Sequence, residues 1–276
     1  MRNDKNYWFI LVIFFCFSSG LPAQERDWES AWEQYNETGR DAFERGNYPA
    51  AEKHFAAALK EAETFGIKDP RLPTSLNNLA ELYRMEGRLE ESESLHRRAL
   101  TIRLVMFGES HLIVALTLDN LALLYDAQRD FDAAETLHFR ALLIRVAALG
   151  AMHPVVATSL NNLGAMYFSQ GNYAKAEPLF QRALRITEET QGQKHPAVAR
   201  GLNNLAMIYQ AQRQYESAEA LYLRSLEILE ETLGASHPSV AAGLTNYASL
   251  LRRMKRYSEA AEVEKRAWEI EQKPTQ

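Results

Sequence analysis

Cysteine is nearly absent: Cys16 is the single one in 276 residues. It sits in an apolar run close to the N-terminus, so everything beyond that run lacks a thiol. Disulfides, thiolate catalysis and cysteine-ligated zinc are thereby excluded from the body of the chain. Glycine and proline are few, 13 and 9, which argues against long flexible linkers. Positive charge is not in excess. The net charge is −5, and a mildly acidic chain has no general attraction to nucleic acid or anionic membrane. The pairs Arg97–Arg98 and Arg252–Arg253 have acidic neighbours. Also missing are a Gly-x4-Gly-Lys-Ser/Thr phosphate loop, a G-x-S-x-G elbow and an H-E-x-x-H zinc motif. With no nucleophile–base pair and no metal constellation, neither an enzyme nor a cofactor is expected.

What is present begins with the N-terminus. Arg2 and Lys5 precede YWFILVIFFCF, residues 7–17, and SSGLPAQ follows. A basic start, a short apolar core and small residues beyond it describe a secretory signal peptide. The core is shorter than the roughly 20 residues a membrane span needs. Residues 1–23 are therefore read as a signal peptide cleaved near Ala23, and 24–276 as an exported periplasmic or secreted chain. Membrane contact would arise only through this segment if it stayed uncleaved.

The dominant feature is a period. LNNLA at 76–80 returns as LDNLA at 118, LNNLG at 160, LNNLA at 202 and LTNYA at 244, each 42 residues on. A fixed period of this size means a stack of repeats. In the unit 153–194, Val156, Leu160, Leu163, Met166 and Tyr167 share one helical face, as do Tyr173, Ala176, Leu179, Phe180, Ala183, Leu184 and Ile186. Gly171–Asn172 separates the two sets, and Gly192 with His195–Pro196 ends the unit. Period-2 alternation is absent, so strands are excluded. The unit is helix, turn, longer helix, loop, with repeats at about 31–68, 72–110, 114–152, 156–194, 198–236 and 240–273. Pro178, near the start of a second helix, predicts a small kink and no break. The charged last helix, with Glu264 where Phe180 and Tyr222 stand in other repeats, reads as a terminal cap before a frayed tail at 271–276.

Counting from Leu160, the residues Leu163, Gly164, Tyr167, Ala176 and Ala183 resemble the tetratricopeptide repeat (TPR) pattern. The units from Leu118 and Leu202 repeat it, with Ser225 for the last Ala in the latter. The family's usual period is about 34. The longer unit and the G-x-x-H-P linkers at 150–154, 192–196 and 234–238 resemble the 42-residue subclass of kinesin light chains and many bacterial TPR proteins. The resemblance implies an all-α, right-handed superhelical solenoid of six helix-turn-helix units, its first helices lining a concave groove that binds a protein or extended peptide. An alternative role is a structural subunit of a periplasmic or envelope complex that docks through its edges or ends.

Three columns of residues recur within this frame. His111, His153, His195 and His237 fall one per repeat, too far apart to converge on one ion, so a linker role is expected and no metal site. Glu93, Glu135, Glu177 and Glu219 read as structural acids. Asn78, Asn120, Asn162, Asn204 and Asn246 match the position at which peptide-binding family members hold the peptide backbone. Asn161 and Asn203 precede two of them, as Asn77, Asp119 and Thr245 precede the others. An amide donates and accepts, so it suits any peptide bond. It equally suits a bond to the neighbouring repeat, and both readings stay open. Arg84, Leu123, Phe168, Met207 and Arg252 are the varied neighbours expected to set specificity. The sequon at Asn36-Glu37-Thr38 is a weak signal.

Overall fold

The computed structural model describes residues 30–272. The expected signal segment with its cleavage site near Ala23, residues 24–29 and residues 273–276 lie outside the described residues. Among those described there are twelve helices and no strand. They are α1 (Ala31–Glu44), α2 (Tyr48–Thr64), α3 (Arg71–Met85), α4 (Leu89–Phe107), α5 (Leu112–Gln128) and α6 (Phe131–Leu149). Then follow α7 (Pro154–Ser169), α8 (Tyr173–Gln191), α9 (Pro196–Ala211), α10 (Tyr215–Leu233), α11 (Pro238–Arg253) and α12 (Tyr257–Glu271). No helix among them is long and apolar enough to cross a membrane. The chain forms two compact units, divided at Leu149.

Within the C-terminal unit, α7 packs on α8, α9 on α10 and α11 on α12; α8 also packs on α9, and α10 on α11. The N-terminal unit repeats the scheme with α1 on α2 and α3 on α4, then α2 on α3 and α4 on α5. Successive first helices also touch, as in α1–α3, α3–α5 and α9–α11. Second helices are held farther apart. An open cleft of about 520 Å³ separates α10 from α12 above α11, and one of about 440 Å³ separates α2 from α4. The first helices are thus on the inner face of each unit.

The apolar periodicity accounts for the cores. Leu76, Leu118, Leu160, Leu202 and Leu244 are all buried. Where each helix pair approaches closely, the first helix carries a small residue, Gly39 and Gly164 in two repeats and the buried Ala80, Ala122, Ala206 and Ala248 in the others. A Cβ on Gly39 would lie 2.6 Å from the Phe55 ring, and one on Gly164 3.0 Å from Phe180. Gly171 ends α7 with φ of 75°. The N–H groups of Gly171 and Asn172 then bond Phe168 O and Tyr167 O at 2.9 and 2.8 Å, the paired bonds of a Schellman cap. Arg129, Arg213 and Lys255 hold the same turn position with φ of 63°, 64° and 64°, so the motif persists where glycine does not. The helix α8 runs unbroken through Pro178.

The linker histidines have a defined task. Each is the N-cap of the next first helix, its Nδ1 accepting the backbone N–H two residues on. The bonds run from Ile113 to His111 at 3.2 Å, Val155 to His153 at 3.2 Å, Ala197 to His195 at 3.1 Å and Ser239 to His237 at 3.1 Å. An imidazole acceptor here replaces the usual Ser, Thr, Asp or Asn. Proline follows three of the four, at the first helical position, where no N–H is needed.

Candidate functional site

The asparagine column lies on the first helices, as Asn78 on α3, Asn120 on α5, Asn162 on α7, Asn204 on α9 and Asn246 on α11. Its members are not equivalent. Asn78 Nδ2 donates to Asn36 Oδ1 at 2.7 Å, and Asn246 Nδ2 donates to Asn203 Oδ1 at 3.0 Å. Both bonds join one repeat to the next, so these two amides help to fix the stack. Asn36 is 7% exposed and bonded there, which leaves the sequon asparagine inside the fold. Asn120, Asn162 and Asn204 are half-buried and make no side-chain hydrogen bond within the described residues. Asn161 goes further: its Oδ1 is buried with no partner among the described residues.

The residue preceding each of these asparagines points toward the second helix of its own repeat in two cases. Asn77 Oδ1 lies 3.0 Å from His96 Nδ1. Asp119 Oδ1 lies 2.8 Å from His138 Nδ1, and Asp119 Oδ2 accepts from Arg145 Nη1. In each pair the Nδ1–H donates, which leaves Nε2 of His96 and of His138 buried and unbonded among the described residues. Burial, with Arg84 and Arg103 close by, pushes the His96 imidazole down to about 3. It is neutral at ordinary pH.

The neighbours expected to vary with the ligand are mostly engaged. Arg84 donates from Nε and Nη2 to Glu81 at 2.9 and 2.6 Å. Arg252 does the same to Glu264 at 2.6 and 2.7 Å, which explains the acid that replaces an aromatic in α12. Leu123 is buried. Phe168 is half-buried and tilts against Tyr173 with ring centroids 5.5 Å apart. Met207 is half-buried on α9, its sulfur 3.7 Å from Asn203 Nδ2.

A family model described as tetratricopeptide repeat matches residues 34–104, 71–145, 114–189, 155–231 and 197–273. The chain is a tetratricopeptide repeat protein. Among solved structures it is similar to BtubC (BKLC) from P. vanneervenii, with 21% identity over 88% of this chain and 92% of that one and a TM-score of 0.63. A putative kinesin light chain with nearly identical TPR-like repeats from Podosopora anserina has 25% identity over 73% and 94%, with a TM-score of 0.62. A Rap protein complexed with Competence and Sporulation Factor has 19% identity over 87% and 75%, with a TM-score of 0.61. A search among curated proteins finds no significant match.

Against this TPR frame Glu93, Glu177 and Glu219 of the glutamate column are structural. Glu93 accepts from Tyr125 Oη at 3.0 Å and Gln128 at 3.2 Å; Glu177 accepts from Gln212 at 3.1 Å; Glu219 accepts from Tyr247 Oη at 2.8 Å and Arg256 at 2.6 Å. Each of these three clamps the following repeat. No group of three or more His, Cys, Asp or Glu capable of holding a metal occurs among the described residues.

Two arginines escaped the sequence reading. Arg103 on α4 is 5% exposed, and its one hydrogen bond among the described residues runs from Nη1 to Thr117 Oγ1 on α5 at 2.5 Å. Burial pulls its guanidinium down to about 10. Arg200 on α9, one turn before Asn204, is exposed and has no ion-pair partner among the described residues; partial desolvation by its surroundings lowers its guanidinium. The 42-residue period conceals both, because neither position carries an arginine in every repeat.

Proposed function

We propose that this TPR chain is an exported, non-catalytic binding protein that holds an extended polypeptide along its first-helix face. The observation that carries the reading is Asn161. A buried oxygen without a donor costs free energy unless something supplies one. It lies in the same unit as the unbonded amides of Asn162 and Asn204 and the unpaired Arg200. An extended backbone offers an N–H and a C=O every 3.3 Å or so, and an amide can serve either. The solved Rap protein is in complex with a factor, so the fold is compatible with carrying a partner. Export rests on Arg2, Lys5 and the 7–17 run; an intact mass beginning at Gln24 supports it, and full-length protein in the cytoplasm contradicts it.

A second reading, docking of an assembly partner on the outer face, is favoured by the cleft between α10 and α12. Leu223 and Val263 line it, and Glu227, Glu230, Glu231 and Glu262 rim it; Leu223 is 47% exposed. A photo-crosslinking residue at Met207 or at Leu223 separates the two. Capture of the partner from Met207 supports the inner face, and capture from Leu223 alone replaces it with the outer one.

A further inference from the structure

One face of α12 is left open. The helix packs on α11 and buries Ala260, Ala267 and Ile270. A second side carries Tyr257, Ala261 and Trp268, which stand at i, i+4 and i+11 and so share one stripe. Tyr257 and Trp268 are each 60% exposed, and Ala261 is exposed between them.

The same places in the preceding repeats show what such a face does. Trp268 stands where α10 has Leu226 and α8 has Leu184, and these leucines press on the next first helix. A Cβ on Gly243 would lie 2.9 Å from Leu226, and one on Gly201 3.0 Å from Leu184. Tyr257 stands where Tyr173 and Tyr215 are half-buried. Ala261 stands where Glu177 and Glu219 bond the following repeat. The apolar part of a stacking surface is thus kept, and enlarged at Trp268, while its glutamate clamp is gone. A face meant only for solvent would be polar here.

The stripe is its own complement. Two α12 helices can lie antiparallel about a twofold axis level with the midpoint of Tyr257 and Trp268. Each Tyr257 then faces Trp268 of the other copy, and the small Ala261 falls near the axis, where it lets the helices approach. On the solvent edge, Lys265 comes within about 3 Å of level with Glu262 of the other copy, and Glu269 closer still to level with Lys255, at a rise of about 1.5 Å per residue. Lys255 and Glu262 have no ion-pair partner among the described residues, and Lys265 meets Glu269 only at 3.9 Å. Opposite charges therefore cross between the copies, each crossing twice by symmetry. A parallel pair would set Glu262 beside Glu262 and Lys265 beside Lys265.

We propose that the Tyr257, Ala261 and Trp268 face of α12 binds a second copy of this chain in an antiparallel twofold dimer. The proposal is independent of peptide binding on the first-helix face.

The test is sedimentation velocity of the full chain over a roughly hundredfold concentration range up to about 200 µM, where an interface of one helix per copy associates. Wild type should pass from monomer to dimer as concentration rises. Trp268→Glu should raise the dimer dissociation constant by about thirtyfold or more, since an aromatic anchor is lost twice in a twofold interface. Its melting temperature should stay near wild type, because the side chain is exposed. Lys265→Glu should weaken the dimer several-fold, and Lys265→Glu/Glu262→Lys should restore it, because the crossing pairs re-form with their signs exchanged. The pairing of these two residues within one helix bears on melting temperature and not on association. A wild type that stays monomeric overturns the proposal and leaves the face to another protein. A dissociation constant that Trp268→Glu leaves unchanged overturns it by placing association elsewhere. A double reversal that fails to rescue Lys265→Glu overturns the antiparallel arrangement.

Discussion

His96 should make the N-terminal unit sensitive to acid. Its ring is fully buried, its Nδ1–H is committed to Asn77, and a proton on Nε2 would have no acceptor among the described residues. The folded value of about 3 lies well below the unfolded value of 6.5. Between those two values the unfolded chain binds a proton that the folded chain refuses, so stability falls as pH drops through that window and is fully present above it. At about 1.4 kcal/mol per pH unit, the loss between pH 7 and pH 5 is about 2 kcal/mol, and the whole window holds about 5. The perturbation is His96→Phe, chosen because Phe180 fills the same place in α8. The assay is urea unfolding by circular dichroism at pH 7 and pH 5, wild type against variant. The other titrating groups cancel in the comparison, so wild type should lose about 2 kcal/mol more than the variant over this interval. Equal losses would refute the reasoning, whatever the variant's stability at pH 7.

Three further outcomes follow from local geometry. His195→Ala should cost about 1 kcal/mol by removing the N-cap of α9, and His195→Asn should restore most of it, both read from urea midpoints. Arg213→Gly should raise stability by about 0.5–1 kcal/mol, because left-handed strain at φ of 64° outweighs the freedom glycine gains in the unfolded chain. Gly39→Ala should cost about 1–3 kcal/mol, since its Cβ meets the Phe55 ring at 2.6 Å, and Phe55→Leu should recover part of that in the double variant.

The fold was legible in the sequence because its information is periodic. Leu160, Leu202 and Leu244 recur on one helical face, and Gly171 or Pro196 marks where a helix stops or starts. Specific atoms were less visible. The histidines were assigned to the linker, but their capping bond depends on the backbone two residues on. Arg129, Arg213 and Lys255 hide a left-handed turn because side chains there rarely adopt one. The asparagine column looked uniform, yet Asn78 and Asn246 are tied to a neighbouring repeat while Asn162 and Asn204 are not. That division depends on the orientation of Asn36 and Asn203, which the period cannot encode. Arg103 stands out only when Asn77 is compared with Asp119, a difference of one charge between two repeats.

The most direct test of peptide binding on the inner face is the affinity of an Asn162→Ala/Asn204→Ala double variant for a bound peptide, beside Asn246→Ala as control. Neither Asn162 nor Asn204 bonds within the described fold, so the double variant should keep its melting temperature and bind about 1–3 kcal/mol more weakly. Asn246→Ala breaks the bond to Asn203 and should lower the melting temperature with little effect on affinity. Unchanged affinity in a folded double variant would contradict the account.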